Sequence, residues 1–307
     1  MKNVYKVFIG CFAACILLVV ADWGLGSWSE KMYHKSKYGI YHRQLYCLES
    51  SNDEILIMGS SRAAHHYVPQ IIEDSLGMSC YNAGSDGQCI YYHYTLLASM
   101  LERGAKPKIV IYEVLNLDIN KSQGATFTID AALDRLAPHY GEYRAVNDLF
   151  EQKDWKEKIK LCSKTYRYNS KLVQTIKCNY MPETEDRGYE ELNGKLNYAL
   201  ATNDKAKIAK SNENKLEELK LKYITMFFEL CIQHDIKLVM MYSPYYKESS
   251  DNAIIQIKDI AVANGVPFFD YCSNQKFQVP ELFYDVMHLN DNGARLYTNE
   301  IVKYLKQ

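Results

Sequence analysis

Short apolar runs alternate with amphipathic stretches along most of the chain. Glu54 to Met58 (EILIM) is a compact apolar run ended by Gly59 and Ser60. Ser79 to Asn82 (SCYN), Lys108 to Leu115 (KIVIYEVL), Ile236 to Tyr242 (IKLVMMY) and Val266 to Tyr271 (VPFFDY) have the same character and read as strands. Helical stretches lie between them. Pro69 to Leu76 is short. Ile90 to Glu102 repeats apolar residues at Tyr94, Leu97, Ala98 and Leu101. Leu216 to His234 and Ala253 to Asn264 follow, the latter ended by Gly265. A last helix, capped by Asp291 or Asn292, runs to Leu305. Strands that are apolar on both sides, alternating with amphipathic helices, predict an α/β domain over 54–307. Its expected core is a flavodoxin-like, doubly wound sheet of five parallel strands.

Two stretches break the rhythm. Residues 120–215 read as an insertion between the third and fourth strands, expected to pack over the site and shape access to it. Within it, the run DKAKIAKSNENKLEELK reads as a solvated helix face. The other stretch is the N-terminus, where MKNVYK precedes the unbroken apolar run Val7 to Ala21. Fifteen helical residues cover ~23 Å, short of a ~30 Å hydrocarbon core. Continuing to Trp28 gives ~33 Å, with Asp22 near one interface and Trp23 and Trp28 as interfacial anchors. Residues 1–28 therefore read as a membrane anchor, with a cleaved signal peptide ending at Val19-Val20-Ala21 as the alternative. Lysines before the span place the N-terminus inside and everything from residue 29 on the non-cytoplasmic side. Residues 29–53 read as a polar, aromatic stalk.

Composition narrows the classes. The chain has 307 residues, 48 % hydrophobic and 24 % charged, which allows a full core. Its net charge of −1, with no long basic run, gives nucleic-acid binding no electrostatic support. Tyrosine is abundant at 26 residues; such rings stack on sugars but also fill cores. None of the nine cysteines forms a CxxC pair, so neither a zinc site nor a disulfide framework is expected. Cys80, Cys231 and Cys272 read as buried small hydrophobes.

In doubly wound sheets the chemistry lies beyond the C-terminal strand ends, and each end here carries candidates. The first strand ends in Gly59-Ser60-Ser61-Arg62, where a serine at a strand-to-helix turn stands exposed above the sheet. The second ends in Asn82-Ala83-Gly84-Ser85-Asp86-Gly87, whose glycines let backbone approach a ligand. The third ends in Glu113-Val114-Leu115-Asn116-Leu117-Asp118, where Asn116 is able to donate a side-chain hydrogen bond. After the last comes Asp285-Val286-Met287-His288, a carboxylate placed to fix the tautomer of an imidazole. Turn formation and helix capping account for each block taken singly. His65 and His66 read as lining the start of the first helix, with a role as alternative bases as the lesser reading.

Taken in order, Ser, Gly, Asn and Asp-x-x-His, these blocks resemble the SGNH (GDSL-like) hydrolase superfamily. GSSR stands where that family has its G-D-S turn, as in membrane-anchored relatives such as D-alanyl-lipoteichoic acid transfer and alginate acetylation proteins. FYDVMHLNDNGARLY is the most specific match. The resemblance covers roughly 54–118 and 236–305. LNLD replaces the family's G-x-N-D, and Gly87 fits the second block better than Gly84. The resemblance implies a serine hydrolase with Ser61 as nucleophile, His288 as general base and Asp285 as its orienter. The implied oxyanion hole comprises the N–H groups of Ser61 and Gly87 and the Asn116 side chain. Arg62 lies outside that machinery; it pairs with an acidic side chain or, as a substrate-binding candidate, recognises an anion. No metal or cofactor is implied. The expected substrate is an O-acyl ester on a cell-envelope glycan, hydrolysed or transferred, and transfer implies a membrane acyl-donor protein as partner. A catalytically silent glycan-binding or scaffold module is the competing reading, motivated by the altered first and third blocks.

Overall fold

Five of the apolar runs pair as strands because each offers side chains that both faces of a sheet bury. In the computed structural model, which describes residues 2–182, 185–196, 212–248 and 250–306, they are β1 (Ile55–Gly59), β2 (Cys80–Asn82), β3 (Ile109–Glu113), β4 (Lys237–Tyr242) and β5 (Phe268–Asp270). The sheet order is β2-β1-β3-β4-β5 and every pairing is parallel. Ile57 sits opposite both Asn82 and Ile111, and Ile111 opposite Val239. Every residue of β1 and β3 is buried, which explains their continuous hydrophobicity. The expected α/β class and five-stranded parallel sheet are therefore present, in the strand order of flavodoxin-like sheets.

The helices of this unit are α2 (Ser61–His66), α3 (Pro69–Leu76), α4 (Ile90–Arg103), α5 (Glu218–Gln233), α6 (Asn252–Ala263) and α7 (Asp291–Leu305), numbered after the N-terminal α1 (Lys2–Tyr33). α4 packs with α5, while α7 packs with α2 and α3. Their ends follow local chemistry. Pro69 starts α3, and Gly77 and Gly104 close α3 and α4 in the left-handed conformation. Asp251 caps α6 by accepting from Ile254 N. The cap of α7 is Asn290, accepting from Gly293 N at 3.0 Å, ahead of both Asp291 and Asn292, where the sequence reading placed it. The sheet order reverses beside β1, so the crevice above the C-terminal ends of β1 and β3 is the switch point of the topology.

The chain divides into two compact units: residues 43–133 with 184–307, which hold the sheet, and residues 1–42 with 134–183. In the second unit α1 runs unbroken from Lys2 to Tyr33 and is long and apolar enough to cross a membrane. Its apolar side chains from Val4 to Trp23 are exposed, whereas Tyr33 is fully buried. Asp22 accepts hydrogen bonds from Ser163 Oγ at 2.5 Å, Lys164 N at 2.9 Å and Thr165 N at 3.1 Å. Gly26 lets this loop lie against the helix: a Cβ there would meet Lys164 at 2.6 Å.

Two expectations change. The segment read as a stalk is helical: α1 extends through Tyr33, Gly39–Leu45 forms a helix, and Tyr46–Ser50 makes a wide π turn closed by Ser51 N on Tyr46 O at 2.7 Å. Of the charged run read as a helix face, Asn212–Leu216 is a strand, antiparallel to Asn120–Ser122. Two short edge segments satisfy each other's backbone there, which a helical charge pattern does not anticipate. Residues 204–211 of that run lie outside the described residues. Within the stretch read as an insertion, residues 134–183 belong to the α1 unit and 185–196 to the sheet unit. All nine cysteines are free thiols, and Cys80, Cys231 and Cys272 are buried.

Candidate active site

β1 passes into α2 through Gly59, whose φ of +137° and whose contact with Glu113 O (2.6 Å from a would-be Cβ) admit only glycine. The next turn places Ser61 at the first position of α2, half-buried. As a first-turn residue its N–H has no intrahelical acceptor.

The other half of the site comes from the far end of the sheet unit. Val286 and Leu289 are buried and anchor a tight turn between β5 and α7. Asp285 Oδ1 accepts from Met287 N and His288 N, both at 2.8 Å, and Tyr284 N donates to His288 O at 2.8 Å. That turn presents His288 to the serine: His288 Nε2 lies 2.8 Å from Ser61 Oγ. Its Nδ1 lies 2.9 Å from Asp285 Oδ2 and 3.0 Å from Oδ1. Burial works to raise the Asp285 carboxyl. The His288 ring and the two backbone N–H groups outweigh it and hold the carboxyl below the usual aspartate range. The Asp285 carboxylate accepts the hydrogen bond of His288 Nδ1–H, which leaves Nε2 to face the serine hydroxyl as the acceptor. Ser61, His288 and Asp285, expected together, are together.

The remaining candidates are placed differently. Gly87 has φ +70° and accepts from Phe127 N at 2.7 Å through its carbonyl. Gly84 is the tighter position: a Cβ there would meet Ala64 N at 2.4 Å and Ala63 C at 2.9 Å, so the loop after β2 rests directly on α2. Asn82 fastens the same junction, donating to Ala63 O at 2.7 Å and Tyr67 O at 3.0 Å and accepting from Gly84 N. Among the described residues Asn116 makes no hydrogen bond to the serine or the histidine; its amide donates to Asp251 Oδ2 at 2.7 Å, at the cap of α6. Asp118 is buried instead. It accepts from Tyr112 Oη, Leu115 N and Ile90 N, and burial pushes its carboxyl up to about 6 against those donors.

The expectation that Arg62 binds substrate is corrected. Arg62 is fully buried, pairs with Glu113 Oε1 at 3.0 Å and stacks on Tyr242 at 4.5 Å. Glu113 also accepts from Tyr67 Oη, Ser243 N and Ser243 Oγ. Burial raises its carboxyl, and Arg62 and these donors oppose the rise. A guanidinium in the interior requires such a partner, so its charge is spent inside the protein.

This network reaches the back of the active-site turn through His66, also fully buried. Leu289 N donates to His66 Nε2 at 2.9 Å, which leaves the ring proton on Nδ1. Nδ1 lies 2.7 Å from Ser243 Oγ and donates to it. Ser243 Oγ, which also accepts from Arg62, then sends its own proton to Glu113. Burial, with Arg62 and the neighbouring imidazoles, holds His66 well below the usual histidine range, so it stays neutral. Sequence reasoning left Glu113 unassigned and did not anticipate that His66 and Ser243 join it. The available signal was a lone glutamate ending the apolar strand KIVIYE, with an arginine beside Ser61.

No protein-family model and no curated protein matches the chain.

Proposed function

We propose that the protein is a membrane-anchored serine esterase or O-acyltransferase of the SGNH type, working through an acyl-enzyme. The observation that carries this reading is the continuous relay from Ser61 Oγ through the His288 ring to Asp285, with separations of 2.8 Å and 2.9 Å. Ser61 Oγ attacks an ester carbonyl while His288 Nε2 takes its proton; the Oγ–carbonyl bond forms and the C=O π pair moves onto oxygen. Collapse expels the alcohol, which receives that proton from His288. Water or a sugar hydroxyl then attacks the acyl-Ser61 by the same route. The N–H groups of Ser61 and Gly87 serve the oxyanion, each such donor being worth ~3 kcal/mol in the transition state. The Asn116 amide, with one N–H on Asp251 Oδ2, keeps a second N–H to offer the oxyanion.

The apolar helix α1 supports a site tethered to a membrane, and the lysines ahead of it favour a non-cytoplasmic location. O-acyl groups on cell-envelope glycans are the ester class available there. A membrane-embedded acyl-donor protein is the partner of the transfer version.

The test is a fluorophosphonate probe on the full-length chain in detergent, mapped by peptide mass. A covalent adduct on Ser61, absent in His288→Ala, is expected. A folded protein that leaves Ser61 unlabelled sinks the enzyme reading in favour of a silent glycan-binding module.

A further inference from the structure

Beside the relay, three side chains of the sheet unit converge without meeting. His65, on α2, is 8 % exposed. Its Nδ1 lies 2.8 Å from the Glu190 carbonyl oxygen, which only accepts, so Nδ1 is the donor there and Nε2 is the nitrogen that faces the cluster. Nε2 lies 3.9 Å from Asp86 Oδ1 and 3.9 Å from Glu190 Oε2, beyond hydrogen-bond distance. Among the described residues no hydrogen-bond partner reaches it. Arg43 holds the other oxygen of Glu190 and so turns Oε2 toward the cluster. Asp86 is exposed, which leaves a path from solvent.

Two carboxylates converging on an imidazole nitrogen draw a cation into the space between the three groups. The three donor atoms lie within 4.8 Å of one another. A point equidistant from atoms so spaced is roughly 2.3–2.5 Å from each, within a few tenths of an ångström of metal–ligand bond lengths of about 2.0–2.2 Å. The exposed Asp86 side chain is free to close that gap. The surroundings also match those of metal-binding histidines, whose second nitrogen donates to a backbone carbonyl and whose carboxylate neighbours are held from behind.

We propose that His65, Asp86 and Glu190 bind one first-row divalent cation, of the manganese class. One imidazole with two carboxylates, and no thiolate, suits that class better than soft copper(I), while the nitrogen ligand disfavours calcium and magnesium. Asp86 stands between Ser85 and Gly87, so the ion would tie the loop after β2 to α2 and to the Tyr189–Glu190 strand. The proposal does not rest on the acyl-transfer reading and is tested without activity.

The experiment titrates Mn2+ into the chelator-treated full-length chain in detergent and follows loss of the free-ion electron paramagnetic resonance signal. One bound ion per chain is expected. His65→Gln and Asp86→Asn should each weaken it at least tenfold, whereas His234→Gln, at an exposed histidine, should not. Asp86→Asn changes an exposed side chain, so misfolding will not imitate the result; its thermal unfolding midpoint checks this. Absence of saturable binding at millimolar Mn2+, or equal binding by wild type and Asp86→Asn, would overturn the site.

Discussion

Asp118 shows what one buried carboxylate does to the pH response of the fold. Its carboxyl sits at about 6 in the folded protein, raised by burial from an unperturbed 3.8. Between those values the folded state keeps a proton that the unfolded chain has released, so protonation favours folding. This contribution is present at pH 4 and lost as pH rises through 6, a loss on the order of 2–3 kcal/mol. Asp118→Asn is neutral throughout. Its unfolding free energy relative to wild type should therefore improve by that amount from pH 4 to pH 7, on top of a constant penalty for the Leu115 N–H that loses its acceptor. Denaturant unfolding of both proteins across that range checks the sign; a pH-independent difference would exclude the effect. Asp285 behaves oppositely. Its depressed carboxyl adds stability that is present above the ordinary aspartate range and lost as pH falls through its folded value.

At the scale of elements, α2 is the part on which the site depends, since it carries Ser61, Arg62, His65 and His66 in six residues. Its position is set by the loop after β2, which touches its backbone at Gly84. Gly84→Ala has no flexible side chain to push aside, so α2 itself must shift. We expect a loss of about 1–3 kcal/mol in stability. Displacements on the scale of an ångström cost about a hundredfold in rate, so Ser61 labelling should slow accordingly. Gly124→Ala, whose nearest neighbours lie at 3.9 Å, should change neither and serves as the control. The sheet was legible because each strand is an apolar run stopped by Gly, Asn, an acidic residue or, after β4, Ser243-Pro244, and the Asp-x-x-His turn was legible because its two residues are neighbours in sequence. What escaped was long-range. Nothing near Asn116 announces Asp251, and nothing near Arg62 on α2 announces Glu113 at the end of β3. Asn212–Leu216 forms a strand only because Asn120–Ser122 comes beside it.

For the whole molecule, the continuity of α1 sets a boundary for any shortened version. A chain beginning at residue 29 keeps Tyr33 and Glu30, which pairs with Lys164 at 2.7 Å, but loses Asp22 and Gly26, where the Ser163–Thr165 loop lies against the helix. Limited proteolysis should then cut within 160–170 at least tenfold faster than in the full-length protein, and equal protection would show that the loop is held by other means. The relay has a further consequence, in the order of synthesis. Ser61 is made 227 residues before the histidine that faces it. On the proposed reading, the serine stays an ordinary alcohol until His288 has been translated and β5 has joined the sheet. A growing chain would then be chemically inert, and reactivity would appear only in molecules that have completed the fold.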